Sequence, residues 1–329
     1  MNPSEFRQTV DAFCQTHNLI PDQATIIVGL SGGPDSMALL HYLSGLRETK
    51  KINLIAVHLD HEWRHNSQND VEFCRQQTEA LNIEYIPTKA SELNFKPKFS
   101  GSKEELGRTL RRYFFEKVKK EKNADLIALA HQQQDQQETF FLRLIRGASL
   151  SGLTGIRPRY GNYVRPFLGT SRADIVAYLE ALRVPYLIDP SNESDTYLRN
   201  RIRNHVLPAL RSADNRFEQN FERTLQHLKE ADDFLDKLTE QTLTSISSFV
   251  DETLTLDTKK FAQLDLVLQK RIIISWLIHE HVPFTPTDTF IHEIIKFMLI
   301  QTGKTHHVHQ SWSIAKYKGL AQIKHIKPS

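Results

Sequence analysis

The chain has 329 residues, 40% hydrophobic and 25% charged, with a formal net charge of +3. These proportions are ordinary for a soluble globular protein of about two domains, and no apolar run approaches the ~20 residues that a bilayer span needs. Two widely spaced cysteines, Cys14 and Cys74, argue against a structural metal or iron–sulfur cluster and fit a reducing cytoplasm, and the charge is too small to point to nucleic acid by itself.

Phe6, Val10 and Phe13 recur at helical spacing, so the first residues read as a helix and not as a secretory leader. A buried strand then runs from Ile26 to Leu30 and passes into Ser31-Gly32-Gly33-Pro34-Asp35-Ser36 and an apolar helix. Paired glycines let the backbone bend tightly and approach a ligand. Pro34 suits a first helical turn, and the unpaired N–H groups at that helix start favour an anion. Ser31 and Ser36 add hydroxyls, and Asp35 adds an oxygen able to hold Mg2+ against phosphates. The loop lacks the lysine of the Gly-x-x-x-x-Gly-Lys-Ser/Thr motif.

Three more strands are predicted, at Ile52–Val57, Ile83–Pro87 and Asp125–Ala130, each followed by a helix, near 69–81, 103–122 and 134–147. This alternation predicts an α/β fold, a parallel sheet with helices on both faces, with ligands bound beyond the carboxyl ends of the strands. The second strand ends in Val57-His-Leu-Asp-His61, where backbone groups near Val57 and the ring of His58 can reach a nucleotide base. No further ligand completes a metal site around His58 and His61. The helix near 103–122 carries eight Lys/Arg against four Asp/Glu. Arg108 and Arg111 share a face, where they serve either as a solvated surface or as stabilisers of phosphate charge. After the fourth strand come His131, then Asp135 and Glu138, three apart at a helix start. They are caps, Mg2+ ligands or holders of a substrate ammonium.

A glycine- and proline-rich connection, 148–162, is able to lie over the site. Helices are predicted at 172–182 and 197–210, and the stretch from Thr196 to Arg211 around the second has four arginines and no acid. Arg199, Asn200 and Arg203 are therefore candidate contacts to an RNA backbone. The texture then changes to charge-rich helices at 216–244, 258–281 and 287–299, with period-two strands over 305–326. This gives an expected division into an α/β domain, 1–211, and a smaller and mainly helical domain, 212–329.

The ordered series resembles the tRNA(Ile)-lysidine synthases, a family of the PP-loop ATP pyrophosphatases. It comprises Ser31 to Ser36, Val57 to His61 with Arg64, Glu105-x-x-Arg108-x-x-Arg111, His131 with Asp135-x-x-Glu138, Arg143 to Gly147, Arg165-Pro166, Asp189 to Asn192, and Tyr197 to Arg203. The chain resembles a short form of that family, which implies that 1–211 is the ATP-pyrophosphatase catalytic domain and 212–329 a helical tRNA-binding domain. The resemblance implies ligation of L-lysine to C2 of the wobble cytidine in the CAU-anticodon tRNA(Ile), through an adenylated intermediate and release of pyrophosphate. It implies Asp35, Arg108, Asp135 and Glu138 as catalytic residues and Asp35 and Glu138 as Mg2+ ligands. ATP would be bound by Ser31 to Ser36 with Val57, His58, Arg111 and His131, and tRNA by Arg199, Asn200 and Arg203. No membrane is expected as a partner, and a homodimer stays open. Gln132 and Gln134 replace a histidine and an acid of the family pattern. The competing readings are another adenylating tRNA-modifying enzyme, such as a thiolase, and an inactive RNA- or nucleotide-binding relative.

Overall fold

The computed structural model describes residues 2–64, 66–97, 101–188, 195, 197–250, 253–300 and 304–326. The Asp189 to Asn192 motif lies outside them. The chain divides into two units, Met1–Leu225 and Gln226–Ser329.

The first unit runs α1 (Pro3–Thr16), β1 (Thr25–Gly29), α2 (Pro34–Ser44), α3 (Arg47–Lys50), β2 (Asn53–Asp60), α4 (Ser67–Ala80), β3 (Glu84–Lys89), α5 (Lys103–Glu121), β4 (Leu126–Ala128) and α6 (Gln133–Ile145). It continues with α7 (Leu150–Leu153), β5 (Arg159–Tyr160), β6 (Tyr163–Val164), α8 (Arg172–Ala181), α9 (Leu198–Arg201), a π turn at Ile202–Val206 and α10 (Leu207–Ala213). The sheet order is β3-β2-β1-β4-β6-β5, parallel except for β5 at the edge. Alternation along β1 sends Ile26 and Val28 into one apolar core with α1, α2 and α8, and Ile27 into the other with Phe114, Phe115 and Val118 of α5. The expected two-faced parallel sheet is therefore present. Its order reverses between β1 and β4, so the loops after these two strands flank one crevice.

The connection at 148–162 is not an open loop. It holds α7 and most of the β5–β6 hairpin, and α6 anchors it: the Gln136 amide donates to Ile156 O (2.7 Å) and accepts from Ile156 N (2.6 Å). Arg143 donates to the carbonyls of Gly152 (2.7 Å) and Gly155 (3.1 Å).

Helix α11 (Phe217–Ile246) begins in the first unit and ends in the second. Its first turns pack on α6: Phe221 stacks on Phe141 and meets Phe140 edge-on, and Phe217 lies tilted against Phe141. The second unit adds β7 (Ser247–Val250), β8 (Thr253–Asp257), α12 (Thr258–Ala262), α13 (Leu266–His279), α14 (Asp288–Leu299), β9 (Thr305–His309), β10 (Trp312–Tyr317) and β11 (Leu320–His325). The strands expected over 305–326 are β9 to β11. They join β7 and β8, which sequence reasoning did not find, in an antiparallel sheet of order β7-β8-β11-β10-β9. The helices and sheet enclose a core around Trp276, whose indole N–H donates to Leu254 O (3.1 Å).

Candidate nucleotide-binding site

The loop after β1 is braced from within. Ser36 Oγ donates to Gly33 O (3.0 Å) and accepts from Ser31 N (3.1 Å), so this hydroxyl shapes the loop. Ser31 is exposed, whereas Gly32 is buried. Gly32 has a φ of +78°, and a Cβ there would stand 2.8 Å from Leu187. Glycine is required on both counts. Leu187 N donates to Gly32 O (2.8 Å), tying the loop to the segment after α8. Gly33 caps α2, and Pro34 opens it. One carboxylate oxygen of Asp35 is buried without a hydrogen-bond partner. Burial, and then the nearby Asp135 charge, push its pKa up to about 6.

Val57 and His58 lie beside the loop but are buried. Val57 pairs with Gly29 in the sheet, and its carbonyl accepts from Leu30 N (2.9 Å). His58 Nδ1 lies 3.7 Å from Cys74 Sγ, and burial lowers its pKa. His61 stacks on Trp63 with ring centroids 4.4 Å apart, and both rest on α5 at Gly107, where a Cβ would come within 2.5 Å of Trp63. His61 Nδ1 is buried and unpartnered, and burial followed by the Arg111 charge brings its pKa down to about 4.

Arg108 and Arg111 extend from α5, which starts at a capping box: Glu105 N donates to Ser102 Oγ, and Ser102 N donates to Glu105. His131 Nδ1 is buried and unpartnered. Burial, and then the charges of Arg165, Arg199, Arg108 and Arg111, hold that imidazole down to about 3. It is neutral at physiological pH and sits amid guanidinium groups.

The start of α6 departs from expectation. Gln132 is its N-cap: its amide oxygen accepts from Gln134 N (2.6 Å), and Gln132 N donates to Asp135 Oδ2 (2.8 Å). The residue that replaces a family histidine therefore has a local structural task. Asp135 Oδ1 accepts from Arg199 (2.7 Å). Glu138 is 0% exposed; Oε1 accepts from Arg203 Nε (2.6 Å), and Oε2 accepts from Arg199 Nε (2.7 Å) and from a second Arg203 nitrogen (3.0 Å). The expectation that Arg199 and Arg203 stand clear of acids is corrected by these contacts. The stretch from Thr196 to Arg211 holds no acid, but α6 supplies two carboxylates from 61 to 65 positions away. Asn200 lies between them on α9. The site thus brings together Asp35, His131, Asp135, Glu138, Arg199 and Arg203, with Arg108 and Arg111 adding charge to His131. Sequence reasoning missed Gln136, Gly107 and Leu187. Gly107, a glycine inside a helical pattern, was the visible signal of a close approach.

A family model described as the PP-loop domain matches residues 3–210. The chain belongs to the PP-loop family. Among curated proteins, the PP-loop chain is 34% identical over 300 residues to the tRNA(Ile)-lysidine synthase of Geobacillus kaustophilus, covering 90% of this chain and 65% of that one. It is 31% identical over 301 residues to the enzyme of the same name from Bacillus thuringiensis subsp. konkukian, covering 89% and 63%. The chain spans just under two thirds of the length of these relatives. Among solved structures, a U34-tRNA thiolase from Methanococcus maripaludis shares the PP-loop fold, with a TM-score of 0.55 at 19% identity over 68% of this chain and 80% of that one.

Proposed function

We propose that this chain uses ATP to join L-lysine to C2 of the wobble cytidine in the CAU-anticodon tRNA(Ile), releasing pyrophosphate and then AMP and leaving lysidine. The observation that carries the reading is a glycine loop at a helix start whose Asp35 keeps an unpartnered buried oxygen, opposite a helix start bearing Asp135 and Glu138. The similarity to two lysidine synthases supports the same reaction.

In this mechanism the amides of the Ser31 to Ser36 loop and the start of α2 hold the β- and γ-phosphates. Arg108 and Arg111 neutralise charge that builds on phosphate oxygens as the α–β bond breaks. The orphaned oxygen of Asp35 fits a Mg2+ ligand, and that ion would supply charge neutralisation at the phosphates. Glu138 fits less directly, because both its oxygens are held by arginines and would have to exchange partners first. Neutral His131 lines the chamber without adding charge. The amine must lose a proton before it attacks the activated carbon, and Asp135 and Glu138 are the acids placed to orient it. Arg199, Asn200 and Arg203 are the proposed tRNA contacts, where a phosphate would compete with those two carboxylates.

Thiolation is disfavoured. Cys14 and Cys74 are both buried, and burial pushes each thiol up to about 12, far from a reactive thiolate. Among the described residues no helix is long and apolar enough to cross a membrane. The test is incubation of the purified chain with ATP, Mg2+, labelled lysine and transcribed tRNAs. Label is expected in the CAU-anticodon tRNA(Ile) with matching pyrophosphate release. Pyrophosphate release without lysine incorporation would reassign the chain to another adenylating reaction.

A further inference from the structure

Arg165 is a buried cation that has no acid among the described residues to balance it. It is 8% exposed. One terminal nitrogen donates to Arg157 O (2.8 Å), while Nε is buried without a partner. Among the described residues no carboxylate pairs with it, and burial together with the Arg108 charge works against its own positive charge. A guanidinium placed this way is costly unless an anion joins it.

Its place in the fold is well defined. Arg165 directly follows β6, whose Val164 pairs with Ala128 of β4 and accepts from Leu129 N (2.9 Å). The turn that starts at Arg165 ends at Thr170, whose carbonyl accepts from Gln133 N (3.0 Å) in the first turn of α6. Arg165 therefore stands at the carboxyl end of the sheet, next to His131 and the helix that carries Asp135 and Glu138. The PP-loop follows β1, two strands away in the order β1-β4-β6, or roughly 10 Å at ordinary strand spacing. That offset sets the strand carrying Arg165 apart from the loop that would hold pyrophosphate. The burial of Arg165 also favours a small ligand over a phosphate in an RNA backbone. A small ligand with an anion at one end and a cation at the other matches an arginine on this side and acids on α6.

We propose that Arg165 binds the α-carboxylate of the free amino-acid substrate. The proposal rests on the lysine-ligating reading above, and it makes Arg165 a specificity residue that separates an amino acid from a plain diamine. Guanidinium and carboxylate meet in a charge-assisted, forked geometry that a diamine cannot use.

The test measures binding of L-lysine and of cadaverine, which is lysine without its carboxylate, to the full chain by calorimetry. The variants are Arg165→Gln, which removes the charge but keeps a polar amide, and Arg165→Lys, which keeps the charge; melting curves confirm that each folds. The wild type is expected to prefer lysine by tenfold or more. Arg165→Gln is expected to lose that preference with cadaverine binding unchanged, and Arg165→Lys to recover part of it. Equal weakening of both ligands in Arg165→Gln, or a retained preference for lysine, overturns the proposal. So does a lower salt dependence of tRNA binding with lysine binding intact, which would assign Arg165 to an RNA phosphate. Lysine binding that depends on Arg165 in a chain that forms no lysidine would sink the ligation reading and leave this site standing.

Discussion

Asp35 and Glu138 face one crevice from opposite sides of the sheet's reversal point, and they are in opposite states. Asp35 keeps a buried oxygen without a partner, and its pKa rises to about 6. Glu138, fully buried, has both oxygens engaged by Arg199 and Arg203. A buried carboxylate left open weakens the empty fold, which is tolerable where a ligand completes it. A buried carboxylate held by two guanidinium groups is costly to break and must be released before it can do anything else. One side is prepared for a ligand, and the other is prepared for an exchange.

The sharpest way to break this comparison is at Asp35. Asp35→Ala should lower pyrophosphate release about 10³-fold or more while leaving the melting temperature at or above that of the wild type. Near-normal release at saturating Mg2+ would remove Asp35 from the chemistry. Glu138→Ala should act in the reverse sense, costing about 3–5 kcal/mol in denaturant titrations because two half-buried cations lose their partner. A loss below about 1 kcal/mol would mean that the arginines find water or another acid.

The pH dependence sharpens the contrast. The folded pKa of Asp35 is raised from 3.8 to about 6, so between those values the native state holds more protons than the unfolded chain. Stability then falls as pH rises through that window. Asp35→Asn should remove this loss, gaining on the wild type by about 1–3 kcal/mol between pH 4 and pH 7 in the absence of nucleotide. A constant difference across that range would contradict the raised pKa. The smallest effect belongs to the cap of α6. Gln132→Ala removes the acceptor for Gln134 N and should cost about 1 kcal/mol, read as a shift in denaturant midpoint.

The parts that the sequence made legible are those encoded within a few residues. The strand, paired glycines, proline and apolar helix of β1 to α2 are one continuous signal, and four parallel strands followed from the alternation of apolar runs. Strands β5 and β6 were hidden because two residues each carry no periodicity. The Arg199–Glu138–Arg203 cluster was hidden for a different reason. An arginine-rich segment without acids looks the same whether its partner is solvent, RNA or a helix 61 positions earlier in the chain. The Gln132 substitution was visible, but its use as a cap depends on a backbone geometry that the residue type does not reveal.

The strand order of the first unit also bears on how the chain is made. β1 pairs with β2 soon after both leave the ribosome, Ile26 facing Leu54, yet its other edge waits for Leu126. During synthesis of the intervening hundred or so residues, the central strand of the finished sheet is an outer one, with Ile26, Ile27 and Val28 along an open edge. The phosphate loop that follows β1 is complete as a sequence throughout this interval, but the crevice that it borders has no second wall. A nascent chain of this protein is therefore most exposed to aggregation, and most in need of a chaperone, just before the segment that completes its site emerges.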